Sequence, residues 1–203
     1  MRQQTNLNYN KANFRKILKA KRLSLDDTSR NLLNHRANLQ LIELLNELLI
    51  NHRNDYKIAL FLAFNGEIDP YCTIQHLQKN NVSVYLPIIH PFSKKTLLFQ
   101  KFDKNTTLIK NKFGILEPKL DLRAITPLDQ INYFVMPLTG FDLKGNRLGM
   151  GGGFYDRTLC HLNDSAKLIG FAYSLQQLDT IPTEPWDISL GYIVTELNRY
   201  CFI

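Results

Sequence analysis

The chain has few of the residues and runs that mark specialised protein classes. It contains three cysteines and ten glycines in 203 residues, too few for a disulfide scaffold or a collagen-like repeat. Cys72, Cys160 and Cys201 form no C-x-x-C pair, and such usage favours a reducing cytoplasm. The longest apolar run is residues 58–64, far below the ~20 residues that cross a bilayer, and no signal-peptide segment occurs in the first twenty residues. We therefore expect a cytoplasmic protein that does not enter a membrane.

The overall composition is that of a folded enzyme-sized domain. Hydrophobic residues make up 44% of the chain and aromatic residues 11%, enough to build a core and to exclude a disordered chain. The length is typical of a single domain. No repeat, low-complexity tract or linker interrupts the sequence, so we expect one domain over residues 1–203.

Positive charge is concentrated at the beginning of the chain. The formal net charge is +7, and residues 1–36 hold nine basic and two acidic side chains, so the remainder is neutral. The basic residues are Arg2, Lys11, Arg15, Lys16, Lys19, Lys21, Arg22, Arg30 and Arg36. Three interpretations are open: a nucleic-acid-binding segment, a site for one polyanionic small molecule, or a solvated helix face.

Helical geometry sorts these side chains into two stripes. If residues 10–23 are helical, four of the cations lie within about 80° of one another. They are Lys11, Arg15, Lys19 and Arg22. Phe14, Ile17 and Leu18 form an apolar stripe beside them. We expect residues 1–23 to contribute a basic helix packed on the core.

The remaining patterns predict alternating helices and strands. Ser24 to Asp27 has the form of a capping box and predicts a helix over Leu25–Ile50, and Asp69 followed by Pro70 predicts a short helix to Lys79. The predicted strands are Lys57–Phe64, Val82–Ile89, Thr96–Phe102, Ile131–Leu138, Leu168–Tyr173 and Ile188–Thr195. This alternation predicts a single three-layer α/β domain with a mostly parallel central sheet flanked by helices.

A glycine-rich loop lies between a predicted strand and a predicted helix. Five of the ten glycines fall between Gly145 and Gly153. Such a cluster rarely serves packing, because each glycine increases the backbone entropy that is lost on folding. The loop would bring together free backbone N–H groups, the start of a helix at Phe154 and the charge of Arg147. This combination favours an anion site over a simple turn. The loop fits neither the Walker A nor the G-x-G-x-x-G pattern.

Two carboxylates follow the loop in sequence. Asp156 alone would be a partner for a helix dipole. Next to a polyphosphate, however, Asp156 and Asp187 are the type of ligand that Mg²⁺ takes together with phosphate oxygens. The residues alone leave both interpretations open.

Several motifs resemble one family. RLGMGGGFYD, NGEID, FGILEP, MPLTGFD and the final IVTE resemble the 5-formyltetrahydrofolate cyclo-ligases, also called 5,10-methenyltetrahydrofolate synthetases, over Lys11–Glu196. The resemblance implies one α/β domain similar to the phosphosugar-isomerase and CoA-transferase folds. It also implies the conversion of 5-formyltetrahydrofolate to the 5,10-methenyl form, with phosphorylation of the formyl oxygen by ATP and ring closure by N10.

The resemblance assigns roles to individual residues. The ATP-binding residues are implied to be Lys11, Ala12, Asn13, Phe14, Arg15, Arg147, Leu148, Gly149, Met150, Gly151, Gly152, Gly153, Phe154 and Tyr155. The substrate-binding residues are implied to be Leu62, Glu67, Met150, Gly151, Gly152, Gly153 and Phe154. Arg147 and Tyr155 are the implied catalytic residues, and Asp156 and Asp187 the implied Mg²⁺ ligands.

The loop departs from some relatives, which carry a basic residue where this chain has Met150 or Gly152. Charge neutralisation is then expected from Lys11, Arg15, Arg147, the metal and backbone N–H groups. The expected partners are ATP and 5-formyltetrahydrofolate, with or without a polyglutamate tail, and we expect a monomer that binds no nucleic acid. The alternatives are a nucleic-acid-binding protein and a nicotinamide oxidoreductase, and the second lacks its glycine fingerprint near the N-terminus.

Overall fold

The computed structural model describes residues 10–49, 56–93, 95–160, 162 and 166–202. Arg2 and the rest of residues 1–9, and the predicted helix end at Ile50, lie outside the described residues. The helices are α1 (Lys11–Leu23), α2 (Asp27–Leu49), α3 (Tyr71–Lys79) and α4 (Phe154–Leu159). Short 3₁₀ turns cover Leu122–Ala124, Leu128–Gln130 and Ser174–Gln176.

Twelve short strands lie within the described residues. The strands are β1 (Lys57–Ala59), β2 (Ser83–Ile89), β3 (Leu97–Lys101), β4 (Leu108–Lys110), β5 (Leu116–Pro118), β6 (Ile125–Thr126), β7 (Tyr133–Pro137), β8 (Gly140–Phe141), β9 (Arg147–Leu148), β10 (Lys167–Phe171), β11 (Tyr192–Val194) and β12 (Arg199–Cys201). Strands β4 and β5 form one separate hairpin, and β8 and β9 form another.

The central sheet has eight strands in the order β12-β11-β10-β7-β1-β2-β3-β6. The five middle strands, from β11 to β2, pair in parallel, and the edges are antiparallel. The mostly parallel α/β sheet predicted from the sequence is therefore confirmed. Binding sites in such sheets lie beyond the carboxyl ends of the parallel strands, where the segments after β1 and β7 meet.

Apolar side chains cover both faces of the sheet. Ile58 and Val135 belong to a core cluster with the buried side chains of α2 and α3. Ala59 and Phe134 belong to a second cluster on the opposite face, together with Phe141 of β8 and Leu159 of α4. Since successive residues of a strand point to opposite faces, this arrangement forms the expected three layers.

Helix α1 packs on the core mainly through Leu18, which is 1% exposed and contacts Leu148 and Ile181. Phe14 packs against the same cluster. Ile17, which the helical pattern placed in the apolar stripe, is 45% exposed. The buried face is therefore narrower than predicted.

Two predicted helix starts were displaced. Ser24 ends α1, where its hydroxyl donates to the Lys21 carbonyl, and Asp26 instead accepts the Ser29 N–H at the start of α2. A serine between two helices can serve either end, and the sequence does not say which one it takes. Asp69 does accept the Tyr71 N–H, but Pro70 is the residue before the helix, one position later than predicted.

The predicted strand at residues 57–64 is only three residues long in the structure. Beyond Ala59 the chain keeps one ladder bond, from the Leu60 N–H to the Tyr85 carbonyl, and then leaves the sheet. Its apolar residues continue as the wall of a cavity instead of a strand. The hairpins and the edge strands β6 and β12 were missed, because their short segments show no clear alternation.

Candidate active site

A cavity of about 480 Å³ opens beyond the carboxyl ends of β1, β2 and β7. Its walls are mainly apolar with a few polar groups, as is usual for sites of small organic molecules. The apolar part includes Phe61, Leu62, Phe64, Leu86, Leu97, Phe113, Ile115, Leu116, Met150 and Phe154. The polar part consists of Glu67, Asn111, Glu117, Arg147, Tyr155 and Asp156. The glycine loop contributes Gly149, Gly152 and Gly153.

Arg15 of α1 holds the first part of the glycine loop. Its Nε donates to the Gly149 carbonyl at 2.8 Å, across 134 positions of sequence. A Cβ built on Gly151, whose φ is +95°, would lie 3.6 Å from the Arg15 guanidinium carbon. The N-terminal helix and the glycine loop therefore meet in the fold. Arg147 is at the same place, since its Nη1 lies 3.5 Å from the position of a Cβ built on Gly149.

Arg157 holds the second part of the loop, and sequence reasoning missed it. Its Nη1 donates to the carbonyls of Gly152 and Gly153 at 3.1 and 2.8 Å. A Cβ on Gly153, which has φ +65°, would lie 2.2 Å from that nitrogen, so a side chain here would strain the backbone and displace the Arg157 guanidinium. The spacing was the available signal, because an arginine four residues after Gly153 lies one helical turn away.

Arg147 and Asp156 form an ion pair at the cavity wall. Nη2 of Arg147 lies 2.5 Å from Oδ1 of Asp156, which also accepts the Ile188 N–H at 3.4 Å. The Arg147 side chain is 4% exposed, and its Nε has no hydrogen-bond partner among the described residues. A buried donor left unpaired in an open cavity is suited to an anionic or carbonyl ligand.

Lys11 and Asp187 form a second ion pair nearby. Nζ of Lys11 lies 2.6 Å from Oδ2 of Asp187, and the Glu184 N–H donates to the same oxygen at 2.9 Å. Burial by itself would raise the pKa of Asp187, but these two hydrogen bonds lower it below its ordinary value. The charge of Arg147 contributes to this lowering, so both ion pairs lie in one electrostatic neighbourhood.

Asp142 fixes the segment that carries Asp187. This fully buried carboxylate accepts N–H bonds from Lys144 and Asn146 in the β8–β9 turn and from Ile181. It therefore anchors both the turn before the loop and the start of residues 181–187.

Glu67 lies in the segment after β1 and is 6% exposed. Its Oε2 accepts the Phe64 N–H at 3.0 Å, whereas its Oε1 has no hydrogen-bond partner among the described residues. Oε1 lies 4.0 Å from Nη1 of Arg22. Burial raises the pKa of Glu67 to about 7, against the lowering effects of Arg22 and the Phe64 N–H.

Tyr155 lines the same cavity from α4. Burial raises its pKa above the ordinary value for a phenol, and the nearby charge of Glu67 raises it further. The hydroxyl therefore stays protonated at neutral pH. It can donate a hydrogen bond, but it cannot act as a phenolate base.

The other predicted residues occupy less direct positions. Leu148 is 1% exposed and packs against α1, so its backbone alone faces the loop. Ala12 and Asn13 are exposed, and their N–H groups are used by Asn10 to cap the helix. Met150 is 51% exposed at the rim of the cavity.

Within the described ranges, no group of three or more His, Cys, Asp and Glu side chains forms a metal site from protein ligands alone. In the same parts of the chain, no helix has the length and apolar character needed to cross a membrane.

Comparisons with known proteins point to one family. The sequence model of the 5-formyltetrahydrofolate cyclo-ligase family matches residues 8–196. A 5-formyltetrahydrofolate cyclo-ligase of Haemophilus influenzae is 47% identical over 143 residues, which cover 70% of this chain and 76% of the relative. The NMR structure of the Aquifex aeolicus 5,10-methenyltetrahydrofolate synthetase matches with a TM-score of 0.76 at 28% identity, and covers 95% of this chain and 92% of that one.

A second solved structure, the Mycoplasma pneumoniae 5,10-methenyltetrahydrofolate synthetase, has a TM-score of 0.72 at 26% identity and covers 92% of this chain and 99% of its own. The nucleic-acid alternative gains no support from these comparisons. Of the nine cations in residues 1–36 on which that alternative rested, Lys11, Arg15 and Arg22 bind groups of the protein itself.

Proposed function

Because the chain belongs to the 5-formyltetrahydrofolate cyclo-ligase family, we propose that it converts 5-formyltetrahydrofolate to 5,10-methenyltetrahydrofolate with hydrolysis of ATP to ADP and phosphate. One observation carries the residue-level proposal. The apolar cavity that contains the free oxygen of Glu67 shares a wall with the glycine loop. A folate and a triphosphate bound at these two places would have their reacting groups side by side.

The folate would lie in the cavity with its pterin ring against Glu67. A carboxylate accepts two parallel hydrogen bonds from a ring N–H and an exocyclic amine, which is the pattern that a pterin offers. Oε1 of Glu67 is available for such a bond. The apolar walls, including Leu62 and Phe154, suit the flat faces of the pterin and aminobenzoate rings.

The triphosphate would bind to the glycine loop. Arg15 and Arg157 draw the loop carbonyls toward themselves, so the two arginines fix the loop conformation. Lys11, Arg15 and Arg147 supply positive charge for the phosphates. Charge neutralisation thus comes from outside the loop, in line with the absence of a basic residue at Met150 and Gly152.

The acids fit a magnesium ion. Asp156 and Asp187 each have one carboxylate oxygen in an ion pair, and both side chains are about one-fifth exposed. Mg²⁺ usually takes one or two carboxylates and leaves its other positions to phosphates and water, so two acids beside a phosphate site suffice. When bound, Mg²⁺ supplies neutralisation of charge on the phosphate oxygens.

The reaction requires an activated formyl oxygen. An amide oxygen is a poor leaving group, so the γ-phosphoryl group is transferred from ATP to the N5-formyl oxygen, and ADP is released. N10 then attacks the formyl carbon, the C–O bond breaks, phosphate departs, and N10 loses its proton to leave the methenyl cation. Phosphoryl transfer depends on positioning and on spread positive charge, and Arg147 would donate to the transferred group.

The decisive experiment measures methenyl product by absorbance with 5-formyltetrahydrofolate, ATP and Mg²⁺, and with each omitted in turn. We expect product only in the complete mixture, with one ADP formed for each methenyl group. Product without ATP, or ATP hydrolysis that does not depend on the folate, would reject the proposal. Cytoplasmic location, a monomeric state and the use of polyglutamate tails belong to this proposal, and the exposed thiols of all three cysteines suit a reducing compartment.

A further inference from the structure

Arg22 is a buried cation with a role that the proposed reaction does not explain. Its side chain is 4% exposed at the C-terminal end of α1. Nη2 donates to the Asn65 carbonyl at 3.1 Å, and Nε has no partner among the described residues. Burial of a charge is unfavourable unless it is paired, and the acidic group beside Arg22 is Glu67.

Arg22 lies on the same stripe of α1 as the cations of the phosphate site. At 100° per residue, Lys11, Arg15 and Arg22 point within about 40° of one another, and Arg22 lies about 10 Å beyond Arg15 along the helix axis. Arg15 contacts the glycine loop, whereas Arg22 contacts the segment after β1. One helix face therefore provides charge to both halves of the site.

The surroundings of Glu67 identify which group balances its charge. The Phe64 N–H donates to Oε2, and Arg22 of α1 faces Oε1. The charge of Glu67 raises the pKa of Tyr155 of α4, but the Tyr155 phenol itself is neutral near pH 7 and does not balance that charge. Arg147, a cation of the cavity wall, is paired with Asp156.

We propose that Arg22 is a positioning residue that keeps Glu67 ionised and oriented to accept hydrogen bonds from the pterin ring, and that it thereby sets the lower pH limit of folate binding. This inference rests on the proposed function. Without Arg22, the buried carboxyl would hold its proton at neutral pH and lose an acceptor that the pterin requires. Arg22 also holds the Asn65 carbonyl, so it fixes the position of the segment that carries Glu67.

The test compares Arg22→Met with Arg22→Lys. Removal of an opposite charge at this distance moves a carboxyl pKa up by about one unit or more, so the acidic limb of kcat/KM for the folate should move by that amount in Arg22→Met. At pH 7 the KM for the folate should rise at least about fivefold and should recover at alkaline pH. Arg22→Lys, which keeps the charge, should shift the limb less. The KM for ATP should be unchanged in both variants.

A merely structural role would give a different result. If Arg22→Met lowers folate binding equally at every pH, or raises both KM values together, the inference is overturned. The double variant Arg22→Met with Glu67→Gln removes both buried charges, so it can be used for the test if Arg22→Met alone does not fold. It should match Glu67→Gln alone in KM for the folate, and a large additional loss would also overturn the inference.

A titration without turnover separates this inference from the proposed function. The side-chain carboxyl of Glu67 is followed by ¹³C NMR in glutamate-labelled protein, with Glu67→Gln to assign the signal. A titration midpoint that moves up in Arg22→Met supports the electrostatic role, and an unmoved midpoint overturns it. If wild type makes no methenyl product, the proposed function fails, and the role of Arg22 in folate binding fails with it even where the midpoint moves.

Discussion

Replacement of Glu67 by glutamine should stabilise the free protein at alkaline pH, because the native carboxylate is buried with an unbonded oxygen. Its pKa is raised from 4.5 to about 7 in the fold. Between these two values the folded state binds a proton that the unfolded state has released, so stability falls as the pH rises. The side chain is 6% exposed, so little solvent screens this effect.

The size of the effect follows from the shift. Each pKa unit corresponds to about 1.4 kcal/mol, so ionisation of Glu67 destabilises the fold by about 3 kcal/mol above pH 7. About 1 kcal/mol of this is already present at pH 5, so the advantage of Glu67→Gln should grow by roughly 2–3 kcal/mol between pH 5 and pH 8.5. For a domain of this length that equals about 5–10 °C in Tm.

Thermal unfolding of wild type and variant at both pH values measures the difference. Other titrating groups affect both proteins equally and cancel. Glu43→Gln is the matched control, because Glu43 is exposed on α2 and its change should give the same small Tm difference at both pH values. A Glu67→Gln advantage that stays constant or shrinks as the pH rises would refute the reasoning.

Three further perturbations test the phosphate side of the site. Arg157→Ala removes two hydrogen bonds from the loop carbonyls. At about 1.4 kcal/mol for their combined loss, the KM for ATP should rise about tenfold, and the KM for the folate should change little. Equal effects on the two KM values in steady-state kinetics would contradict this. Asp156→Asn should weaken the activation by added Mg²⁺ in a metal titration, and an unchanged titration would remove it from the metal site. Trp186, the single tryptophan, is 68% exposed beside Asp187. Binding of ATP with Mg²⁺ should therefore change the intrinsic fluorescence of the protein and its quenching by acrylamide. Identical quenching with and without the nucleotide would place the nucleotide elsewhere.

The sheet and the main helices could be predicted because their signals are local. The amphipathic pattern of α1 and the short apolar runs of β2, β7 and β10 appear directly in the sequence. The short hairpins could not be predicted in the same way. Strands β8 and β9 have two residues each and are fixed by the buried carboxylate of Asp142, which is a tertiary effect.

The candidate site residues also fall into two groups, those with a local sequence signal and those that depend on tertiary contacts. Arg15, Arg147, Glu67, Asp156 and Asp187 could be named from motifs, because a glycine loop and its neighbouring charges form a recognisable pattern. The ion pairs that join Asp156 to Arg147 and Asp187 to Lys11 could not be named, because they depend on which loops meet in space.

The roles of Arg22 and Arg157 were also not predictable. Arg22 is one of nine cations in residues 1–36, and its burial depends on how the end of α1 meets the segment that carries Glu67. Arg157 contacts the loop because Gly153 has no side chain that would prevent its approach.

The ion pair between Lys11 and Asp187 joins positions 176 residues apart, and this separation determines when the site can exist. During synthesis on the ribosome, Lys11 and Arg15 have no partners until Asp187 and Gly149 have followed, whereas Arg22 can meet Asn65 and Glu67 much earlier. The part of α1 that meets the glycine loop therefore docks late in synthesis, after the part that meets the segment following β1.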